Sequence, residues 1–253
     1  MDSVDINNWS LLFSLVLVMI SFGISTKEKL GISKDIAVSV VRTVIQLIVI
    51  GFVLKYIFQA NEPLLTVAMA LIIIFNASIQ ANKRNPNSHK QWSHSFIAIF
   101  ISTAITLGLL VLTGAIKFLP SQIVPITGMI ASNSMVAIGL CYRQMSSQFN
   151  DQRQQVLEKL ALGAPIKLAA LPILRASIKT AMQPTIDSAK TVGLVSLPGM
   201  MSGLILAGVD PVHAIKYQIM VMFMLLSATS LGSVIAGYYA YKDYFNDRMQ
   251  LNY

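Results

Sequence analysis

Asp210 and His213 stand three residues apart in "GVDPVHAIKYQ". That spacing puts a carboxylate and an imidazole on one helical face, where they could share a metal ion. The same residues also read as an ordinary helix start, with Asp210 as the N-cap and Pro211 at the first helical position. The chain holds 13 methionines, among them Met200, Met201, Met220, Met222 and Met224. Thioethers are soft ligands that suit Cu(I), and they are equally adaptable packing residues. His89 and His94 flank one loop at a spacing that matches neither same-face helical ligation nor a zinc pattern. The single cysteine, Cys141, cannot form an internal disulfide and reads as a small buried residue. The few histidines and acids form no set of nucleophile, base and orienting group, so an enzyme is not expected.

The elements that must position these groups are apolar. Of 253 residues, 55% are hydrophobic and 12% charged, against about 25% charged in a soluble domain. This composition predicts an all-α integral membrane protein forming one transmembrane domain over 1–253. The formal charge is +8, but the basic residues form no stripe interleaved with aromatics, which argues against nucleic acid. A bilayer is the expected partner. The start "MDSVDINNW" lacks the basic region of a cleavable signal.

Spans of about 20 apolar residues are needed to cross a bilayer. Seven candidates lie at roughly 9–25, 36–58, 63–81, 94–115, 123–141, 191–208 and 214–240. Trp9 and Tyr238, Tyr239 and Tyr241 suit the interfaces. Lys27, Lys29 and Lys34, then Lys83, Arg84 and Lys90, then the many cations of 142–190 mark the inner loops. The expected topology places the N-terminus outside and the C-terminus in the cytoplasm of a cell-membrane protein. In 142–190, a polar stretch gives way to "VLEKLALGAPIKLAALPILRASIKTAM". Its near-helical apolar spacing, interrupted by Pro165, Pro172 and Pro184, predicts short amphipathic helices on the cytosolic face.

Every Asp and Glu falls in a loop or at a span end, including Asp2, Asp5 and Asp247. No acid sits at a midplane to relay protons, which argues against a self-powered proton-coupled carrier. No G-x-x-x-x-G-K-[ST] loop is present, so a nucleotide motor would have to be another polypeptide. Polar groups that do enter spans are Arg42 and Gln46, four apart on one face, then Asn76, Asn133, Ser134 and Gln218. Each could line a pathway or make an interhelical hydrogen bond. In "SLPGMMSGLILAG", Pro198 removes a backbone donor, and Gly199, Gly203 and Gly208 loosen the helix. Residues 196–203 should therefore face other helices or a conduit rather than lipid. Gly199 and Gly203 also have the G-x-x-x-G spacing of close helix packing. Met200 and Met201, being adjacent, cannot both point the same way.

The segments "VVRTVIQLIVIGFVL", "EKLALGAP", "LPILRASIKTAMQPTIDSAKTVGLVSLPGMMSGLILAGVDP" and "AIKYQIMVMF" resemble the FetB-type permeases of bacterial ABC exporters. Plant relatives of that family are tied to aluminium tolerance. The resemblance spans nearly the whole chain and is strongest from Glu158 to Phe223. It implies a membrane subunit that binds no cofactor itself and works with a separate ATP-binding subunit carrying ATP and Mg, two copies of each. It implies iron export for the bacterial branch; for the plant branch it leaves a nucleotide sugar, UDP-glucose, as cargo. Leu160 to Pro165 resembles the coupling loop of ABC permeases, whose importer form reads E-A-A-x-x-x-G. Here Glu158 lies five before Gly163, and Lys159 and Leu160 replace the alanines. Glu158, Leu160, Leu162, Gly163, Ala164 and Pro165 are the expected docking residues, and the Pro198 region the expected hinge. Iron would prefer oxygen or imidazole ligands, for which Glu62, Asp210 and His213 are the outer candidates. A motor-free channel and a scaffold without transport remain the rivals from other classes.

Overall fold

The computed structural model describes residues 8–86, 92–246 and 248–251. His89, Lys90, Asp2, Asp5 and Asp247, which the sequence reading used, lie outside the described residues. The chain divides into two compact units, 1–61 and 62–253.

The first unit is a helical hairpin. Helix α1 (Asn8–Lys27) and helix α2 (Ser33–Ala60) are joined by a turn with Gly31 at φ +74° and Lys29 at φ +51°. Ser25 Oγ lies 2.9 Å from Ser33 Oγ, tying the helix ends together. Most apolar side chains of α2, Val44, Leu47 and Ile48 among them, are exposed, and Ile57 near its end is buried. A helix apolar all round and unburied by its own chain is what a bilayer accommodates.

The second unit is a bundle of α3 (Pro63–Asn82), α4 (Trp92–Leu112), α5 (Pro120–Asp151), α6 (Arg153–Ala161), α7 (Ile166–Thr191), α8 (Gly199–Leu206) and α9 (Pro211–Ala240), closed by a 3-10 turn, Tyr241–Tyr244. Proline opens α3, α5 and α9, where its missing N–H is one the helix start would leave unpaired anyway. Helix α9 packs through small residues. A Cβ on Gly237 would lie 2.9 Å from Leu174 Cδ1 of α7, and 3.4 Å from both Cys141 Sγ of α5 and Ile178 Cγ1 of α7. Ala228, Ser233, Ala236 and Ala240 are buried along the same helix. Such a face lets three backbones approach where lipid supplies no hydrophobic drive between helices. One end of the bundle is locked by aromatics. Phe149, late in α5, stacks on Tyr244 at 4.2 Å, and His94, early in α4, lies 3.5 Å from Asp243 and 5.2 Å from the Tyr239 ring.

Among the described residues, five helices are long and apolar enough to cross a membrane: α2, α3, α4, α5 and α9 with its closing turn. They match five of the expected spans. The described apolar part of α1, Phe13–Lys27, is shorter. The protein is an all-α, multi-pass membrane protein.

Two expectations are corrected. Residues 191–208 are not one span: α7 ends at Thr191, a turn follows, and α8 has only 8 residues. In the turn, Gly193 N–H donates to the Ser196 carbonyl at 2.9 Å and Val195 N–H to that of Thr191 at 2.9 Å. Gly193, at φ +85°, supplies the left-handed conformation this turn needs. Residues 142–190 are likewise not a chain of short surface helices. Tyr142, Met145 and Phe149 are buried in the last turns of α5, and α7 runs unbroken for 26 residues through Pro172 and Pro184. Each proline forfeits one backbone hydrogen bond. The buried Ala169, Ala170, Ile173, Leu174, Ser177 and Ala181 hold the helix against α5 and α9 regardless. Proline is tolerated in packed membrane helices for this reason.

Candidate functional site: an apolar cleft and an exposed turn

Two regions concentrate the expected functional residues, at different levels of the bundle. The first lies where α7 breaks into α8 beside α9. Val192, Leu197, Met201, Gln218, Met222 and Phe223 are among the lining of a cleft of about 510 Å³. Met201 faces this cleft, while Met200 packs against the second apolar core of α4, α5 and α9. Gln218 is 6% exposed, and its Oε1 has no hydrogen-bond partner among the described residues. Pro198 is the N-cap residue of α8 with an extended backbone, ψ 146°, so it ends the turn rather than kinking a span. Gly199 and Gly203 are exposed. A Cβ on either meets nothing within 4 Å, so their spacing serves no close packing inside this chain.

The other polar residues of the spans divide by partner. Ser134 Oγ donates across to the Ala228 carbonyl of α9 at 3.3 Å, an interhelical bond. Asn133 Nδ2 bonds its own helix at the Met129 carbonyl, 2.9 Å, and Asn76 Nδ2 does so at that of Ile72, 2.9 Å. Asn133 also borders a smaller cavity of about 130 Å³ with Thr185 and Ser188 of α7. Arg42 and Gln46 are exposed and share one shallow apolar groove along α2.

Asp210 caps α9. Its Oδ2 accepts from Val212 N–H at 3.0 Å and His213 N–H at 3.2 Å, and lies 3.2 Å from His213 Nδ1. The His213 side chain first, then these backbone N–H groups, hold the Asp210 carboxyl below the usual carboxylate range. Glu62 stands at the N-cap position of α3. Among the described residues no three His, Cys, Asp or Glu side chains are grouped to hold a metal, so Glu62 does not join Asp210 and His213 in such a group.

The second region is the step from α6 to α7. Leu160 and Ile166 pack inward against the main core. Leu162 is 88% exposed, Glu158 and Pro165 are exposed, and Ala164 is half-buried. Gly163 turns the chain at φ +83°, and its N–H donates to the Leu160 carbonyl at 2.9 Å. Exposed Leu157 and Leu168 flank the turn. The inward pair fixes the turn on the bundle, and Leu162 projects from it.

Sequence reasoning missed the end lock and several interior hydroxyls. Ser95 Oγ lies 3.0 Å from Tyr142 OH, both buried. Thr103, Thr106 and Thr127 are buried with no hydroxyl partner among the described residues. The signal for them was present as Ser95, Ser102 and Thr106 recurring on the buried side of an apolar helix.

The model of the uncharacterised protein family UPF0014 matches residues 8–245. The chain belongs to this family. Among UPF0014 relatives, the "probable iron export permease protein FetB" of Escherichia coli K12 is 54% identical over 251 residues, covering 99% of this chain and 97% of that protein. The UPF0014 membrane protein YjkA of Bacillus subtilis is 33% identical, covering 96% and 97%. The protein ALUMINUM SENSITIVE 3 of Arabidopsis thaliana is 33% identical, covering 94% and 87%. No solved structure matches. The expected family resemblance therefore stands, and it extends along the helices that carry both the cleft and the exposed turn after α6.

Proposed function

We propose that this chain is the membrane subunit of an ABC exporter, driven by a separate ATP-binding subunit, and that its cargo is iron. The observation that carries the reading is the turn after α6. An apolar side chain 88% exposed on a turn anchored from beneath by Leu160 and Ile166 is a knob without a socket among the described residues. A short helix presenting such a knob fits a groove on a partner. The name of the Escherichia coli relative supports the iron cargo.

In this reading Glu158 to Pro165 dock on the ATP-binding subunit, which holds ATP and Mg, and two permease copies pair in the cell membrane. The N-terminus lies outside and the C-terminus inside. The end where α4 begins and α5 and α9 finish is then cytoplasmic, the same side as Lys83 and Arg84. Closure of the motor would push α6 and the start of α7. Because α7 is one stiff helix, the push would reach its far end, where the 192–198 turn can flex beside Gln218. Pro198, Gly199, Met200 and Met201 form the gate, and Asn133, Ser134 and Gln218 border the route. Asp210 and His213 lie where a cation leaving the outer end would meet oxygen and imidazole.

The test is co-purification with the ATP-binding subunit and ATP-driven efflux of ferrous iron in liposomes. Leu162→Glu should abolish the complex, and Pro198→Ala should slow transport while leaving the complex intact. A complex that survives Leu162→Glu, or transport at the parent rate in Pro198→Ala, contradicts the mechanism. Uphill pumping by the chain alone contradicts the need for a motor, and efflux of UDP-glucose but not iron contradicts the cargo.

A further inference from the structure

Helix α7 is not among the helices apolar enough to cross a membrane, yet it runs the length of one that is. Near its start, Lys167 Nζ lies 6.0 Å from the Tyr238 ring of α9, and Leu174 packs at Gly237. Near its end, Ala189 shares the cleft with Ile215 and Gln218 of α9. Its 26 residues at 1.5 Å each reach about 39 Å, more than the roughly 30 Å of a hydrocarbon core. Between the two ends, Ala181, Pro184, Thr185 and Ser188 share the small cavity of about 130 Å³ with Met222 and Leu225. These are the twelfth and fifteenth of the 30 residues of α9, so this level is the middle of a spanning helix.

On α7, Arg175, Lys179, Gln183 and Asp187 follow one another at four-residue intervals, the spacing of one helical face, and all four are exposed. Gln183 Nε2 donates to Asp187 Oδ1 at 2.8 Å, and Lys190 Nζ lies 3.6 Å from the same oxygen. The pairing does not shelter the charges, because the Asp187 side chain is 54% exposed and that of Lys190 67%. Asp187 adjoins Ser188, which lines the midlevel cavity. The sequence reading expects every acid in a loop or at a span end; the structure puts this one inside the apolar layer. Ionised side chains in contact with acyl chains are costly and rare. Arg175 and Lys179 have stems long enough to reach toward an interface. The short carboxylate of Asp187 does not.

We infer that this polar face of α7 lines a water-filled passage at bilayer depth. Intramembrane charges face either the interior of a bundle or a wet cavity, and the buried side of α7 is the opposite one, with Ile173, Leu174, Ser177 and Ala181. A dry contact with a second copy of the chain does not meet the need. The exposed row carries three cations, Arg175, Lys179 and Lys190, against one acid, Asp187. Two such faces would repeat the same excess of positive charge, and like charges approach only with water between them. The inference rests on the spanning fold and needs neither the ATP-binding subunit nor the iron cargo.

Cysteine labelling of the full chain in liposomes tests it. The sole native cysteine, Cys141, is 0% exposed and supplies the unreacted background. Gln183→Cys and Thr180→Cys put a thiol on the polar face. Ile72→Cys puts one on an apolar position that is 53% exposed, the tenth of the 20 residues of α3. The probe is a charged, membrane-impermeant methanethiosulfonate supplied on both sides of the bilayer. It reacts with the thiolate, which forms only where water reaches the sulfur. Gln183→Cys and Thr180→Cys should react at least about 10-fold faster than Ile72→Cys, because only they hold an appreciable thiolate fraction. Helix content by circular dichroism should match the parent, and all thiols should react alike after unfolding in dodecyl sulfate. Folded Gln183→Cys and Thr180→Cys that react no faster than Ile72→Cys would overturn the inference, whether lipid or another protein covers the face. Fast reaction at Thr180→Cys with none at Gln183→Cys would also overturn it, since water would then stop short of Asp187. No motor or iron is present in this assay, so its failure would leave complex formation through Leu162 untouched, and the two proposals fall separately.

Discussion

Gly237 is the point at which α5, α7 and α9 meet, and replacing it with alanine separates packing from helix propensity. In an isolated helix the change would gain about 1 kcal/mol. Here the new methyl would lie 2.9 Å from Leu174 Cδ1, and 3.4 Å from Cys141 Sγ and Ile178 Cγ1. Leu174 is 1% exposed and Cys141 0%, so neither can swing into open space. Overpacking of this kind costs about 1–3 kcal/mol. The net expectation is a loss of about 1 kcal/mol, and a larger loss for Gly237→Val, whose two further methyls meet the same wall. Gly203→Ala is the counterpart. Its methyl meets nothing within 4 Å, so the propensity gain of about 1 kcal/mol stands alone. In a domain of this size 1 kcal/mol shifts Tm by about 2–4 °C. Thermal unfolding in one detergent should therefore show Gly237→Ala below the parent, Gly237→Val lower still, and Gly203→Ala above it. A Gly237→Ala variant as stable as Gly203→Ala would refute the three-helix contact.

Ser95→Ala should destabilise the bundle by about 1–3 kcal/mol, because it leaves the buried Tyr142 hydroxyl unpaired. Adding Tyr142→Phe should recover part of that loss in a double-mutant cycle read by denaturant unfolding. The depressed Asp210 carboxyl implies that the helix start it caps is fully held above the ordinary carboxylate range. That hold is lost only as pH falls below the range, through the lowered folded-state value. Asp210→Asn keeps the cap acceptor and should remove this acid sensitivity, seen as protection factors of the Val212 and His213 amides, each referred to the intrinsic exchange rate at that pH, that stay constant on acidification. Asp243→Asn weakens the contact to His94 and should speed amide exchange in the Tyr241–Tyr244 turn without altering that of α8.

The long helices were legible because composition alone decides them. A run such as "LIIIFNASIQ" has nowhere to go but lipid or a packed core, and both demand a helix. The Asp210 cap was legible too, since Asp-Pro before an apolar run has one local meaning. What was not legible is which cytosolic-looking residues are interior. Lys167, Arg175, Lys179 and Lys190 make α7 read as a surface helix, yet Ile173, Leu174 and Ser177 between them are buried. Cations on one side of a helix do not prevent the other side from serving as core. The Ser95 to Tyr142 bond joins residues 47 apart in the chain, and no local pattern encodes such a pair.

The prolines carry the sharper lesson, because the sequence offers the same breaker in two settings. Pro172 and Pro184 sit inside α7 and break nothing; Pro198 closes the turn that follows α7 and caps α8. The residue chemistry is identical, so the difference lies in what surrounds it. Around Pro172, Ala170, Ile173 and Leu174 are buried on neighbouring helices, and their contacts outweigh one lost backbone bond. Just before Pro198, Leu194 is 89% exposed and Val195 81%, so no packing resists the turn, and the left-handed Gly193 makes it available. Leu194 and Val195 gain no burial among the described residues, which is why the break settles there and not at Pro172. Pro184→Ala should therefore add a backbone bond to a helix already formed and leave the 192–198 turn in place. Amide exchange of Gly193 and Val195 at the parent rate would bear this out, and marked slowing across 192–198 in that variant would show that Pro184, not the lack of packing, sets where the helix ends.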